Sequence, residues 1–420
     1  MTPLLRLAAQ SAWNRRASLA LAIVAMALSV MLLLGVERLR DEARNGFEQS
    51  VSGADLIVGA RGSPLQLLLY SVFRLGDASQ DMQWASVEKL SAHPAVAWVI
   101  PLSLGDSHRG FPVLATTQAY FDHFRTGEQR PLVLQRGRPF QAVFEAVIGA
   151  EVADALGYQP GDRITLAHGS GESGLTDHAD KPFTVVGILA RTGTPVDRTV
   201  HISLAAMEAI HLDWQGGAPM PGLAIPAEFV QKFDLRPKTV TAAIVGLKSR
   251  AAVFGVQRWV NQNRDEALMA VLPGVALAQL WDMLAQVERV LFAVSALVVA
   301  VGLAGLVAVV LASLDQRRRE LAILRAVGAR PRDILALLML EGAGLVIAGA
   351  LLGLVLLTGL IVLAGPVLEA RYGLALAARL PGERELFLLG GAIIAGFVAS
   401  LVPAWRAYRA SLADGLTPKI

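Results

Sequence analysis

The sequence predicts a membrane protein with four transmembrane α-helices and a large external mixed α/β domain between helices one and two. Hydrophobic residues make up 54% of the 420-residue chain and its mean hydropathy is +0.49, which is too apolar for an ordinary soluble protein. Charged residues nevertheless make up 17%, which is too many for a chain that lies wholly in lipid. A few spans joined to a water-exposed domain account for both values.

The four spans are segments without a charged residue. A helix rises 1.5 Å per residue, so about 20 such residues cross the hydrocarbon core. The segments that qualify are residues 17–36, 290–314, 342–368 and 386–405. Glycines 344, 349, 353 and 359 in the third segment predict close contact between helices. The first segment is longer than a signal-peptide core and no A-x-A site closes it, so we expect a retained anchor.

Lys and Arg in the short connections predict the orientation, because they are enriched on the cytoplasmic side. The N-terminal piece, the connection between spans two and three, and the C-terminal piece hold three, six and three of them, whereas the connection between spans three and four is balanced by acid. We therefore expect both termini to be cytoplasmic and the external domain to be periplasmic. The predicted pieces are 1–16, 315–341 and 406–420 inside, and 37–289 and 369–385 outside.

Residues 55–271 have the alternating pattern of a mixed α/β module resting on two helical stalks. Helices are predicted at 84–93, 119–124 and 151–156, strands at 95–104, 112–116, 144–148, 163–167, 183–189, 199–202 and 239–247, and a solvated loop at 168–180. The stalks are predicted at about 37–50 and 275–289. Their apolar residues, spaced as in a coiled-coil seam, are Leu277, Leu280, Leu284, Val287 and Leu291, facing Val36, Leu39, Ala43 and Phe47.

Residues able to support chemistry are confined to the external domain, which contains all seven histidines. His168, Glu172, Asp177 and His178 are candidate metal ligands, but their spacing fits no closed zinc pattern and their segment is rich in glycine and serine. We therefore expect no metal site, no cofactor and no tight zinc binding. There is no cysteine, which excludes disulfides and thiolate sites, and no serine lies in a G-x-S-x-G context. The sequence thus favours neither a hydrolase nor a nucleic-acid-binding protein.

The connection between spans two and three is the most informative stretch. Arg317, Arg318, Arg319 and Glu320 follow the end of span two, and a short apolar surface comes next, made of Leu321, Ile323, Leu324 and Val327. Gly328 is a typical helix end, and Pro331 suits the first turn of the next helix. A short helix bracketed in this way has the form of a docking element for another protein.

This stretch resembles the FtsX/MacB-type (type VII) family of ABC transporter permeases. The family pattern is approximately E/Q-R-x-R-E-I-G-I-L-R-A-L/V-G-A, then a basic residue and D-I. The chain matches it from Gln316 to Ile334, with Ala322 where glycine is common. Two further stretches are similar to the family: residues 147–166, as in its periplasmic core, and residues 403–410, as in its P-A-x-R-A-A-R ending.

The resemblance implies a permease subunit that works by mechanotransmission, in which a separate P-loop ATPase drives movement of the periplasmic domains. No Gly-Lys dipeptide occurs, so no Walker A loop is present, and ATP and Mg²⁺ are expected in the partner subunit. The chain resembles the split form without a fused ATPase. The ATPase-coupling residues carried over from the family motif are Arg317, Arg319, Glu320, Leu321, Ile323, Leu324, Arg325 and Gly328.

Other expected partners are a second permease copy or paralogue and, where the system requires one, a periplasmic adaptor or lipoprotein. An envelope substrate such as a lipoprotein, lipid, peptide or drug fits the family. The alternative is an ATP-independent membrane-anchored periplasmic binding or scaffold protein. The substitution Leu324→Glu separates the two, because only a coupling segment would lose ATPase recruitment through it.

Because the chain has no cysteine, single cysteines introduced at Ser173 and Ser411 test the orientation. A membrane-impermeant thiol reagent should label the first and spare the second in cells whose outer membrane has been permeabilised. Labelling at position 411 but not at 173 would reverse the orientation.

Overall fold

The computed structural model describes residues 16–50, 53–76, 78, 80–127, 129–169, 176–215, 218–220, 225–316, 318–372 and 378–409. The chain forms two compact units. The first, here the helical unit, consists of Met1–Glu42 and Ala285–Ile420, and the second, here the α/β unit, is Ala43–Leu284. Arg317, Glu172 and both termini lie outside the described residues.

The α-helices of the described residues fall into four long ones and seven short ones. They are α1 (Arg16–Ser50), α2 (Pro64–Phe73), α3 (Trp84–Ser91), α4 (Ala119–His123), α5 (Ala150–Leu156), α6 (Leu204–His211), α7 (Val253–Asn261), α8 (Pro273–Gln316), α9 (Arg318–Ala326), α10 (Pro331–Tyr372) and α11 (Glu383–Arg409). The long helices α1, α8, α10 and α11 are long and apolar enough to cross a membrane. Each runs beyond the uncharged segment that the sequence indicated, because polar residues continue the helix at its ends.

All strands of the described residues lie in the α/β unit. They are β1 (Leu56–Ala60), β2 (Met82–Gln83), β3 (Val96–His108), β4 (Phe111–Thr116), β5 (Arg125–Thr126), β6 (Arg130–Pro131), β7 (Leu134–Gly137), β8 (Glu145–Ile148), β9 (Arg163–Ile164), β10 (Ala167–His168), β11 (Thr176–Asp177), β12 (Phe183–Leu189), β13 (Val200–Ser203), β14 (Trp214–Gln215), β15 (Ala218–Pro219), β16 (Thr239–Val240), β17 (Ala242–Leu247) and β18 (Leu268–Val271). The main sheet has the order β18-β1-β17-β3-β4-β13-β8-β12-β7, with β10 pairing to β3 and β9 to β12.

The main sheet is buried on both faces, which explains its continuous apolar strands. Along β8, Ala146 and Ile148 join one core cluster and Val147 joins another, since successive side chains point to opposite faces. In β1, Leu56 and Val58 are separated from Ile57 in the same way. Helices cover both faces, so an α/β unit of this size can bury a core of its own.

Glycines bring the long helices of the helical unit together. A Cβ added at Gly353 would lie 2.6 Å from the carbonyl oxygen of Ala27, and one at Gly349 would lie 2.8 Å from the Met26 side chain. Space around Gly344 and Gly359 is open within 4 Å among the described residues, so only two of the four glycines noted in the third span make such contacts. In lipid, close backbone approach is the main source of helix attraction, and α10 therefore packs tightly against α1.

A buried ion pair joins α1 to the start of α11. Arg38 donates two hydrogen bonds to the Glu385 carboxylate, of 3.1 Å from Nε to Oε1 and 2.7 Å from Nη2 to Oε2, and both side chains are almost fully buried. Arg379 extends the network to Asp41 at 2.7 Å and Glu42 at 3.0 Å. A bidentate pair of this kind restrains both the distance and the angle between two helix ends.

The predicted coiled-coil seam between the stalks forms only in part. Phe47, Leu277 and Leu280 pack in one core cluster of the α/β unit. Leu39 on α1 and Leu284, Val287 and Leu291 on α8 are exposed, so no continuous apolar seam follows. In the helical unit, α1 and α8 also meet through a polar contact: Arg40 Nε donates to Glu288 Oε2 at 2.9 Å. Charged residues occupy six of the eight positions 37–44, which interrupts the apolar row of α1.

The solvated loop predicted at 168–180 is also wrong where the structure describes it. Strands β10 and β11 pair with each other, and β10 pairs with β3. His178 and Lys181 are buried. The Gly, Ser and acidic residues between positions 169 and 180 are typical of a loop and gave no sign of a hairpin. The residues against which the hairpin packs are distant in the sequence. Helices α2, α6 and α7 and strands β1 and β18 were missed as well.

A glycine pair tests the packing of the α/β unit. A Cβ at Gly149 would lie 2.3 Å from the carbonyl oxygens of Val196 and Asp197, whereas nothing lies within 4 Å of one at Gly255 among the described residues. Gly149→Ala should destabilise the unit by about 1–3 kcal/mol, because backbone must move. Gly255→Ala, in the exposed middle of α7, should be neutral or stabilising by about 0.5–1 kcal/mol.

Hydrogen exchange of strand amides in the full chain measures both changes. Exchange in β8 and β12 should accelerate in Gly149→Ala and stay at or below the parental rate in Gly255→Ala. Equal exchange in the two variants would contradict the close packing of Gly149.

Candidate functional site

The candidate site is the segment that connects α8 to α10, here the coupling segment, residues 317–330. Its helix α9 lies against one end of the helical unit. Leu321 packs on a buried cluster made of Leu314, Ile334, Leu338, Ala404 and Ala407, which comes from α8, α10 and α11. Ala322 beside it is buried as well. One face of α9 is thereby fixed to three of the long helices.

Exposed apolar side chains lie on the opposite face of α9 and directly beyond its end. Ile323 in α9 is 59% exposed, and Val327, the residue after the end of α9, is 83% exposed. The Val327 amide donates to the Ile323 carbonyl at 3.0 Å, so helical spacing continues to Val327 and the two side chains form one patch, here the Ile323/Val327 patch. Leu324 at the edge of the patch is half-buried. Single exposed apolar residues are common on proteins, whereas two neighbouring ones on a helix that is fixed from behind form a candidate docking surface.

Gly328 ends α9 through a Schellman motif. Its φ is +104°, a conformation that favours glycine. The Gly328 amide donates to the Arg325 carbonyl at 3.0 Å, and the Ala329 amide donates to the Leu324 carbonyl at 2.9 Å. These are the two hydrogen bonds of that motif, and they satisfy carbonyls that a helix end otherwise leaves without partners. The direction in which the chain leaves α9 is therefore set by its backbone.

The next helix begins immediately afterwards with its own cap. Pro331 is the first residue of α10, where its missing amide proton costs nothing. Asp333 Oδ2 accepts a hydrogen bond of 2.8 Å from the Arg330 amide, and the Asp333 amide donates to the Arg330 carbonyl at 2.9 Å. This arrangement resembles a capping box with aspartate in the usual place of glutamate. Only Gly328, Ala329 and Arg330 separate the last exposed patch residue from α10.

Arg325 ties α9 to the end of α11. Its Nη2 donates to the carbonyl oxygens of Ala407 at 3.3 Å and Tyr408 at 3.0 Å. These carbonyls belong to the last turn of α11, where the helix dipole concentrates partial negative charge. A guanidinium placed there donates hydrogen bonds to these carbonyls and interacts favourably with the negative end of the helix dipole. Arg325 therefore has a structural role besides any contact with a partner.

The structure separates the coupling residues that the sequence grouped. Leu321 faces the helical unit, Ile323 faces away from it, Leu324 lies between, and Gly328 forms the turn. Arg317 lies outside the described residues, and so do the side chains of Arg319 and Glu320. Sequence reasoning missed the Asp333 cap and the contact of Arg325 with α11. The Asp333 cap had a signal, an acidic residue two positions after proline, whereas the α11 contact had none.

The candidate metal ligands were only partly placed. The ring centroids of His168 and His178 lie 6.4 Å apart in the α/β unit. Glu172 and the side chain of Asp177 lie outside the described residues. The sequence offered no reason to connect these two histidines with Asp106 or His211, which also lie close to them.

Two family descriptions match the chain. Residues 19–261 match the MacB-like periplasmic core domain, which is more than half of the chain, and residues 292–412 match the FtsX-like permease C-terminal domain. The chain belongs to the FtsX/MacB-type family of ABC transporter permeases. This confirms the resemblance drawn from the motifs, and it confirms the four-helix membrane fold with an α/β domain after the first helix.

Relatives of this permease are distant. It is 24% identical to the lipoprotein-releasing system transmembrane protein LolC of Neisseria meningitidis serogroup B over 215 residues, which are 50% of the chain. The match spans about half the length of that relative, 46%. The periplasmic region of MacB from Actinobacillus actinomycetemcomitans is 12% identical with a TM-score of 0.33, covering 56% of this chain and 97% of that one. The extracellular domain of the noncanonic ABC-type transporter YknZ from Gram-positive bacteria is 12% identical with a TM-score of 0.30, covering 51% and 98%.

The attachment of α9 to α11 is open to a direct test. Arg325→Ala should remove the two hydrogen bonds to the α11 carbonyls at a cost of about 1 kcal/mol, which corresponds to about five-fold faster hydrogen exchange of the amides at 321–329. Arg325→Lys keeps the charge but loses the forked arrangement of donors, so its exchange rate should lie between those of the parent and Arg325→Ala. The control is Arg332→Ala, an exposed residue in the first turn of α10. Unchanged exchange in Arg325→Ala would show that α9 is held by its apolar face alone.

Proposed function

We propose that this chain is the permease subunit of an ABC transporter that works by mechanotransmission. A separate P-loop ATPase, which binds ATP and Mg²⁺, docks on the coupling segment. Its nucleotide-driven movement displaces α9, and the long helices transmit the displacement to the periplasmic domain. The single observation that carries this proposal is the Ile323/Val327 patch, because a rigidly held helix exposes apolar side chains at a place that the family motif marks.

The mechanical demands on such a segment support the proposal. A force applied to α9 moves the helical unit only if α9 is firmly attached. Leu321 anchors it in the cluster of Leu314, Ile334 and Leu338, and Arg325 anchors it to α11. The Schellman turn at Gly328 leaves only a short connection to α10. A push on the patch is therefore carried to α10 and α11 rather than absorbed by a flexible loop.

The long helices suit the transmission step. Helix α1 is continuous over 35 residues and α8 over 44 residues. Because helices resist compression along the axis, an uninterrupted one carries a displacement along its whole length. The ion pair between Arg38 and Glu385 joins α1 to α11, so these two helices would move together. The apolar stalk seam plays no part in this mechanism.

The proposed setting is the bacterial inner membrane, with both termini and the coupling segment in the cytoplasm. The excess of arginine in the coupling segment and the termini supports this orientation. A second copy or paralogue would complete a dimer that matches two ATPases. The name of the LolC relative points to release of lipoproteins, and we propose an envelope substrate of the class lipoprotein, lipid, peptide or drug, handed to a periplasmic adaptor or lipoprotein where one is present.

Acidic substitutions in the patch test the docking step. Ile323→Glu and Val327→Glu should each weaken ATPase binding about 30-fold, since a central interface anchor is worth about 2 kcal/mol. Leu324→Glu should also weaken ATPase binding, although this substitution places a charge at a half-buried position as well. The measurements are co-purification of the ATPase with the permease and ATP hydrolysis by the reconstituted complex.

The matched control is Arg330→Ala, an exposed residue beyond the patch, which should leave both measurements near the parental values. All variants must insert in the membrane to the same level. If Ile323→Glu with Val327→Glu binds the ATPase and hydrolyses ATP like the parent, the coupling segment is not the docking site. The ATP-independent scaffold would then be the better description.

A further inference from the structure

We propose that Asp106, His168, His178 and His211 form a tetrahedral binding site for a divalent transition metal, Zn²⁺, within the α/β unit. Each of the four offers one ligand atom, and these atoms all lie within 4.8 Å of one another. Three neutral imidazoles and one carboxylate are ligands that zinc accepts, and four protein ligands complete its usual coordination. The site is independent of the coupling segment and of the proposed transport function.

The strand register places three of the four side chains. His168 in β10 is directly opposite Asp106 in β3, and it is also directly opposite Thr176 in β11. Directly opposed residues of antiparallel strands point to the same face. His178 lies two positions after Thr176 and its amide donates to the Leu166 carbonyl at 2.8 Å, which keeps it beside the hairpin. The backbone ladder therefore brings together residues that are up to 72 positions apart.

The fourth ligand comes from the end of α6. His211 Nδ1 lies 2.9 Å from the Met207 carbonyl oxygen, so this nitrogen carries the proton and donates it. Its Nε2 consequently holds a lone pair and points into the cluster, 3.1 Å from His168 Nδ1. A backbone carbonyl that fixes the tautomer of a ligating histidine is a common companion of metal sites. His168 would coordinate through Nδ1 with its proton on Nε2.

The distances between ligand atoms already suit a tetrahedral ion. Asp106 Oδ1 lies 3.1 Å from His168 Nδ1 and 3.7 Å from His211 Nε2. Bonds of about 2.0–2.1 Å in a tetrahedron separate the ligand atoms by about 3.3 Å. Since the four ligand atoms lie within 4.8 Å of one another, side-chain rotation would have to bring the more distant ones closer. Trp214 packs against all three imidazoles, with ring centroids 4.2–5.7 Å away, and provides an apolar wall.

Burial leaves polar atoms in this cluster without a partner. His178 is 1% exposed and neither of its ring nitrogens has a hydrogen-bond partner among the described residues. Asp106 is 3% exposed and its Oδ2 lacks a described partner as well. Such groups cost about 1–3 kcal/mol each when left unsatisfied, and a cation between them would satisfy both.

A neighbouring ion pair holds the two halves of the site together. Lys181, which is fully buried, donates to Asp213 Oδ1 at 2.6 Å and lies 3.3 Å from Asp180. Lys181 follows His178 by three positions and Asp213 follows His211 by two, so the pair joins the ligand-bearing segments. The two carboxylates neutralise the lysine, which would otherwise repel a metal ion.

A metal site here differs from the expectation of no metal site, which rested on the spacing of His168, Glu172, Asp177 and His178 and on the glycine and serine residues around them. That expectation treated the segment as a loop without support from other elements. The structure instead adds Asp106 and His211 from distant elements and provides the fixed geometry that the loop lacked.

Zinc titration of the full-length protein tests the site. The protein is purified in detergent with a tag free of histidine, stripped with a chelator, and titrated with Zn²⁺ against a chromophoric competitor. We expect one Zn²⁺ per chain with a submicromolar Kd. His168→Ala, His178→Ala and Asp106→Asn should each weaken binding by about 100-fold or more, since even outer-shell changes cost 10–100-fold. The matched control, His93→Ala with His123→Ala, removes two histidines outside the cluster and should leave the Kd unchanged.

X-ray absorption at the zinc edge of the unaltered protein tests the site without relying on the folding of any variant. The expected spectrum is that of four ligands at about 2.0–2.1 Å, three of them imidazoles. A Kd of the parent weaker than about 10 μM would overturn the proposal, since structural zinc sites bind far more tightly. Undiminished zinc binding in the double variant His168→Ala with His178→Ala would also overturn it. A spectrum that shows fewer than two imidazole ligands would do the same.

Discussion

The helical unit depends on close approach of its long helices at glycine, as between α1 and α10. Lipid tails are as apolar as leucine, so burial of apolar surface gives helices little reason to associate in a membrane. Gly349 and Gly353 remove the side chains that would hold the two backbones apart, and dispersion contacts with Met26 and Val30 replace them. With α10 fixed in this way, Ile334 and Leu338 at its beginning are held in place. They belong to the cluster on which Leu321 of α9 packs.

The α/β unit depends on a different constraint, the pairing of its long central strand β3. This strand pairs with β17 and β4, and its end also pairs with β10. The ladder fixes which residues face each other regardless of their distance in the sequence. Asp106 and His168 meet for this reason, and α6, which follows directly from β13, brings His211 to the same place. A polar cluster placed by a buried sheet is held far more firmly than one on a loop.

Local signals in the sequence predicted much of this structure. The uncharged segments indicated the four long helices, and the Gly-Ala-Arg-Pro run indicated the break between α9 and α10, because span length and cap chemistry act within a few residues. Prediction failed where a structure depends on distant residues. Nothing within residues 168–180 shows that β3 supports the hairpin, and no local pattern connects Arg325 with the end of α11. The stalk heptads had the right spacing, but only Phe47, Leu277 and Leu280 pack together, because charged residues interrupt the apolar row of α1.

The coupling segment and the histidine cluster follow one physical rule: backbone hydrogen bonds first fix the frame, and side chains then act from it. In the coupling segment the Schellman bonds and the Arg330 cap fix the backbone at the exit of α9, from which Ile323 and Val327 project. In the cluster, the β10 ladder and the Met207 carbonyl orient the imidazoles. In the cluster, burial has already restricted Asp106 and His178, so little side-chain entropy would remain to be lost on binding a ligand. A rigid frame would also serve the proposed mechanism, because a displacement applied to a flexible segment would be dissipated before it reached another element.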